Sequence, residues 1–139
     1  MNLGIIQARM GSTRLPGKVL VDIHGKSLLE HCITRLSQSK KIDKWIVATT
    51  TESQDDAISD ACKAIGVNCF RGSEWDVLDR FYQAAISQNE NPDLIVRVCC
   101  DNPIHHGEVV DYAIDQFHLF GTDYFANGKY PNVYLRDQD

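Results

Sequence analysis

Leu3-Gly-Ile-Ile-Gln-Ala-Arg-Met-Gly-Ser-Thr-Arg-Leu-Pro-Gly-Lys18 passes from a short apolar run into a loop rich in glycine, serine, threonine and proline. Residues 3–7 have the length and composition of a strand, and the loop runs on to about Lys26. Long loops inside compact domains tend to be functional. A strand that opens directly into such a loop is the start of an open α/β sheet, which holds ligands at the carboxyl ends of its strands.

The remaining chain continues this alternation. Ser27-Leu-Leu-Glu30 has capping-box form, and Leu28, Leu29, Cys32, Ile33 and Leu36 recur on one helical face. Trp45-Ile-Val-Ala48 reads as the next strand, and a helix from near Asp55 presents Ile58, Ala61, Cys62 and Ile65 before Gly66 stops it. Val67-Asn-Cys-Phe70 makes a third strand. Asp76 caps a helix whose expected inner face is Leu78, Phe81, Tyr82, Ala85 and Ile86. Leu94-Ile-Val-Arg-Val-Cys99 reads as a strand buried on both sides. A helix over residues 107–117 turns Val110, Ala113, Ile114 and Phe117 inward, and Asp123-Tyr-Phe-Ala126 is expected to form a last strand. The pattern predicts one α/β domain over residues 1–139, a mainly parallel sheet with helices on both faces.

Composition narrows the class. Apolar residues are 43% and charged residues 24% of the 139, near the average for globular proteins. No apolar run reaches the ~20 residues of a spanning helix and no signal-peptide pattern opens the chain, so a cytoplasmic protein is expected. Cys32, Cys62, Cys69, Cys99 and Cys100 show no C-x-x-C spacing, and their odd number argues for buried free thiols. Residues 1–44 hold eight Lys/Arg against three Asp/Glu, a net of +5; the whole chain is at −5, so the remainder carries −10. A basic third within an acidic chain points to a small anion, since a nucleic acid would want a broad basic face.

The loop itself names the class of anion. Arg9, Arg14 and Lys18 concentrate positive charge at a strand end, and Gly11 and Gly17 would let backbone amides approach a ligand closely. Arginine forks and a lysine point charge suit a nucleoside triphosphate. A Walker A loop is excluded: five residues, not four, separate Gly11 from Gly17, and Val19 stands where a magnesium-binding hydroxyl belongs.

Asp101 follows the strand ending at Cys99, opposite this loop. It reads either as a magnesium ligand or, with Asn102-Pro103, as a turn or helix start. His105-His106 reads as an exposed loop pair rather than a metal site, because adjacent residues rarely converge on one ion. Cys99-Cys100 as a redox pair is disfavoured. Asp76 and Asp79 are explained by helix capping and the helix dipole.

Ile5-Ile-Gln-Ala-Arg-Met-Gly-Ser-Thr-Arg-Leu-Pro-Gly-Lys-Val-Leu20 resembles the spore-coat polysaccharide biosynthesis protein F type of cytidylyltransferase, a group similar to the CMP-Kdo and CMP-sialate synthetases. The resemblance continues through Val47-Ala-Thr-Thr-Thr51, Asp55-Asp-Ala-Ile58, Phe70-Arg-Gly-Ser-Glu-Trp-Asp-Val-Leu-Asp-Arg-Phe81 and Asp101-Asn-Pro103. It implies a three-layer α/β/α Rossmann-like nucleotidyltransferase fold that moves CMP from CTP to a sugar hydroxyl with release of pyrophosphate, using Mg2+. It implies Arg9, Arg14 and Lys18, with Gly11 and Ser12 of the same loop, as the triphosphate site. Gln7 and Ala8 would lie near the base, Arg71, Ser73 and Arg80 near the nucleoside, and Asp101 at the metal. The family usually has glycine before this aspartate, where Cys100 stands here, so a side chain is expected to crowd the nucleotide or tilt the carboxylate. The resemblance ends near Tyr130-Pro131-Asn132, which implies a truncated member lacking a sugar-binding and dimer-forming part. Use of another nucleoside triphosphate and a non-catalytic nucleotide-binding role stay open, as does a homodimer.

Overall fold

A computed structural model of the chain describes residues 1–126. Strand β1 (Asn2–Gln7) is followed by a hairpin of β2 (Asp22–Ile23) and β3 (Lys26–Ser27), then by helix α1 (Leu28–Leu36) and β4 (Lys44–Thr50). The chain continues with α2 (Asp56–Ile65), β5 (Asn68–Gly72), α3 (Val77–Ile86), β6 (Leu94–Cys99) and α4 (Gly107–Phe120). Four strands form one sheet in the order β5-β4-β1-β6, every pairing parallel. The first strand is therefore central, and Gln7 at its end stands between Ala48 of β4 and Cys99 of β6.

Because side chains alternate across a strand, β1 feeds two cores. Ile6 joins Val47, Leu29, Leu36, Ile58, Val110 and Ile114 beneath α1, α2 and α4. Leu3 and Ile5 join Ile46 and Ala48 beneath α3, which contributes Phe81, Ala84 and Ala85. These two cores are the interfaces of a three-layer α/β/α domain. Each fully buried Leu or Ile in them contributes roughly 1.5–3 kcal/mol.

The caps follow the sequence. Ser27 Oγ accepts from the Glu30 amide at 3.1 Å, the Asp76 carboxylate accepts from Asp79 at 2.8 Å, and Gly66 ends α2 with φ 83°. At the start of α4, Gly107 permits a close crossing: a Cβ there would lie 2.1 Å from the Ser39 amide nitrogen. Asp111 ties the same crossing by accepting from the amides of Lys40 and Lys41 and from the Ser39 hydroxyl. Burial pushes its carboxyl up, yet these hydrogen bonds and the Lys41 charge outweigh burial and hold it below the usual carboxylate range.

Four expectations are corrected. First, β6 is not buried on both sides: it is an edge of the described sheet, with Ile95, Arg97 and Cys99 exposed on one face. Among the described residues only β1 pairs with it, and α3 lies mainly over its neighbours. Second, α3 is rolled relative to its apolar periodicity. It buries Arg80, Phe81, Ala84 and Ala85 and leaves Leu78, Tyr82 and Ile86 at 82%, 59% and 48% exposure. The roll lets buried Arg80 donate through Nη1 to the Ser73 carbonyl at 2.7 Å, a bond that closes the turn into the helix. Third, Asp123-Tyr-Phe-Ala126 is not a strand; Phe125 instead stacks on Phe120 at the end of α4. Fourth, the long loop is partly structured, by a 3-10 turn at Lys18–Leu20 and by the hairpin of β2 and β3. Tyr130-Pro131-Asn132, where the family resemblance ends, lies outside the described residues. Among those that are described, no helix is long and apolar enough to cross a membrane.

Candidate active site

The site is built where β1 stops. Ala8 continues the ladder for one residue, its amide donating to the Ala48 carbonyl at 3.2 Å, and the chain then turns. The turn folds back on the Met10 carbonyl, which accepts from the amides of Ser12 at 2.8 Å and Gly17 at 2.9 Å. Gly17 sits at φ 71°, a left-handed conformation that suits glycine. Its amide is thereby engaged within the loop, so Gly17 contributes backbone shape here rather than a free donor.

A buried carboxylate anchors this loop. Asp55 is 0% exposed; its Oδ1 accepts from the Met10 amide at 2.7 Å and its Oδ2 from the Thr50 hydroxyl. One side chain thus ties the loop after β1 to the end of β4. The sequence pattern placed Asp55 only at the start of a helix. The signal available in the sequence was its place in Asp55-Asp-Ala-Ile58, one of the stretches that carry the family resemblance.

The folded loop and the end of β6 enclose a cavity of about 230 Å³. Its walls include Gln7, Ala8, Arg9, Ser12, Arg14, Lys18 and Asp101, seven of the residues expected from sequence. Arg9 and Arg14 are exposed and, among the described residues, neither is in an ion pair. Lys18 Nζ stands 3.4 Å from Asp101 Oδ2, so the lysine and the carboxylate form an ion pair on the cavity wall. The arrangement offers unpaired guanidinium forks to an anion and a single carboxylate to a cation.

Gly11 does not line this cavity; its missing side chain makes room for Gln54, whose Nε2 would be 3.2 Å from a Cβ there. Arg71, Ser73 and Arg80 stand at the neighbouring end of β5 and outside the cavity wall. Arg71 braces the loop after β4, donating to the carbonyls of Thr50 and Glu52 at 2.9 Å each and pairing with Asp56 at 2.6 Å. Arg80 is 1% exposed, and burial, followed by repulsion from Arg9, lowers its pKa against the attraction of Asp55, with Arg97 adding to the lowering.

Two local expectations resolve differently from the sequence reading. Cys100 is 1% exposed and its thiol turns into the core beside Cys32; its hydrogen bond with Cys32, together with burial, holds it well above the usual thiol range. Its amide donates to the Gln7 carbonyl at 2.9 Å, which fixes the backbone just before Asp101. His105 and His106 are half-buried rather than exposed. His106 caps α4 by accepting from the Glu108 amide, and the His105 carbonyl accepts from Arg35. Burial lowers the pKa of His105, with Asp101 opposing. Of the five cysteines all are free, and Cys99 is the exposed one.

Arg97 is a second residue that sequence reading passed over, although a lone arginine within an apolar strand is itself a signal. Its Nη2 donates to Gln7 Oε1 at 3.1 Å, and its guanidinium carbon lies 5.0 Å from the centroid of the Phe81 ring.

The family model described as Cytidylyltransferase matches residues 3–132. The chain belongs to the cytidylyltransferase family. It is 41% identical over 126 residues to the spore coat polysaccharide biosynthesis protein SpsF of Bacillus subtilis, covering 88% of this chain and 52% of that protein. It is 48% identical over 124 residues to the uncharacterized protein MJ1063 of Methanocaldococcus jannaschii, covering 89% and 50%. A solved cytidylyltransferase from Leptospira borgpetersenii superposes with a TM-score of 0.79 at 38% identity, over 88% of this chain and 50% of that one. The cytidylyltransferase chain described here therefore spans about half the length of the relatives it matches.

Proposed function

We propose that the chain grips CTP for transfer of CMP to a sugar hydroxyl in the synthesis of a surface polysaccharide. The observation that carries this reading is the cavity whose wall gathers Arg9, Arg14 and Lys18 together with Asp101, the carboxylate paired with Lys18. In the transfer, the sugar oxygen forms a bond to the α-phosphorus, the bond from that phosphorus to the bridging oxygen breaks, pyrophosphate leaves and the hydroxyl proton is released. This chain's part is to hold the triphosphate in line and to meet its growing negative charge with fixed cations. Ser12 adds a hydroxyl donor to the phosphate side. Ser73 and, through its brace on the end of β4, Arg71 extend the site towards the nucleoside, and buried Arg80 shapes that end by holding the Ser73 carbonyl. A cytosolic setting follows from the substrate, CTP.

Magnesium fits the donor set only together with a triphosphate. Among the described residues no three ligating side chains gather, and Asp101 is the single carboxylate on the cavity wall. Magnesium asks for one or two carboxylates, with phosphate oxygens and waters completing the shell. Asp101 would hold it, and the ion would supply neutralisation of phosphate charge.

Pyrophosphate release from CTP and magnesium across a panel of acidic sugars tests transfer directly: release with one of them is expected, and none with any sugar contradicts it. The metal role has its own signature in Asp101→Asn. Without magnesium the variant loses a carboxylate that repels phosphate, and CTP binding should tighten by roughly 1 kcal/mol. With magnesium it loses the ion's ligand, and binding should weaken. The same sign in both conditions would remove Asp101 from the metal.

A further inference from the structure

We infer that Arg97 is a positioning residue that fixes the side-chain amide of Gln7 and so selects cytosine over uracil. The inference rests on the CTP reading and specifies what reads the base.

A guanidinium carries donors and no acceptor. The Gln7 atom facing Arg97 Nη2 at 3.1 Å is therefore the amide oxygen, and the chemistry of the partner settles the orientation of the amide. The other end of that amide, Nε2, has no protein acceptor among the described residues. Gln7 lines the cavity, so the wall there carries a donor of fixed identity.

Arg97 is itself held. Residues 97 and 5 are register partners, as are 99 and 7, which puts Arg97 and Gln7 on the same face of adjacent strands. Its guanidinium lies over the Phe81 ring, and Phe81, on the inner face of α3, is 9% exposed. The arginine cannot swing away without losing that contact, and Gln7 cannot turn its amide over without setting two donors against each other.

Within the cavity the cations serve the charged end of a nucleotide. Among the described residues Gln7 is the one side-chain amide on the wall, and an uncharged donor suits the ring. Cytosine presents acceptors at both O2 and N3, whereas uracil presents a donor at N3. O2 accepts in both bases, and at position 4 the sense reverses, O4 of uracil accepting where N4 of cytosine donates. A fixed N–H donor therefore selects cytosine by meeting N3, where uracil sets a second donor against it.

Calorimetric dissociation constants for CTP and UTP, measured with magnesium on the full chain, test this. Wild type is expected to favour CTP. Arg97→Met frees the Gln7 amide to turn over, and the CTP:UTP preference should fall about tenfold. Arg97→Lys restores a donor-only partner and should recover most of the preference. Gln7→Glu offers only acceptors and should shift the preference towards UTP. A merely structural role for Arg97 would weaken both nucleotides together and leave their ratio alone. Wild type that prefers CTP while Arg97→Met and Gln7→Glu keep its ratio, or wild type that binds CTP and UTP equally, overturns the assignment alone. Wild type that binds neither nucleotide overturns the CTP reading beneath it.

Discussion

Replacing Asp55 by alanine is expected to lower stability by about 3 kcal/mol and to abolish tight nucleotide binding in the same step. The carboxylate is fully buried and accepts from the Met10 amide and the Thr50 hydroxyl. Hydrogen bonds to a charged group are each worth more than neutral ones, and their loss strands two donors. The charge of Asp55 also acts on Arg80, the other charged side chain buried among the described residues, raising its pKa against the larger effects of burial and of Arg9. Removing the aspartate leaves that cation with less compensation. Thermal unfolding should shift down by roughly 10 °C for a domain of this size. Asp55→Asn keeps the shape and one acceptor, so an intermediate loss is expected. A variant with wild-type melting and wild-type CTP affinity would mean that the loop holds its shape unaided.

Lys18→Ala should weaken CTP binding by about 1–3 kcal/mol with little change in stability. The amine is partly exposed and its partner in the protein is Asp101 at 3.4 Å. The substitution removes a phosphate contact and also leaves the Asp101 carboxylate facing the triphosphate without its counter-charge. Lys26→Ala provides the control: Lys26 pairs with Glu30 at 3.6 Å, at one turn's spacing around the start of α1, and should leave CTP affinity unchanged. Equal losses in both variants would mark the effect as general electrostatics rather than a site.

The order of strands and helices was legible because each carries its own period and its own cap, as at Ser27, Gly66 and Asp76. The cationic loop was legible because its charges are contiguous in sequence. What the sequence hid depends on partners distant along the chain. The periodicity of α3 pointed Tyr82 and Ile86 inward, but the bond from buried Arg80 to Ser73 sets the roll of that helix. A run of apolar residues in β6 looked fully buried, although only its position in the sheet decides whether a second neighbour covers it. Cys100 looked an obstacle beside Asp101 until the pleat turned its thiol into the core towards Cys32. Asp55 and Arg97 act on residues 45 and 90 positions away, a separation that local pattern cannot register.

Titration of CTP in the presence of magnesium into the wild-type chain, with Arg9→Ala and Lys18→Ala measured alongside, tests the triphosphate site most directly. Saturable binding by wild type, weakened roughly tenfold or more in each variant, is the expected result. Absence of CTP binding by wild type, or an affinity unchanged in both variants, would contradict the assignment of this cavity to the nucleotide.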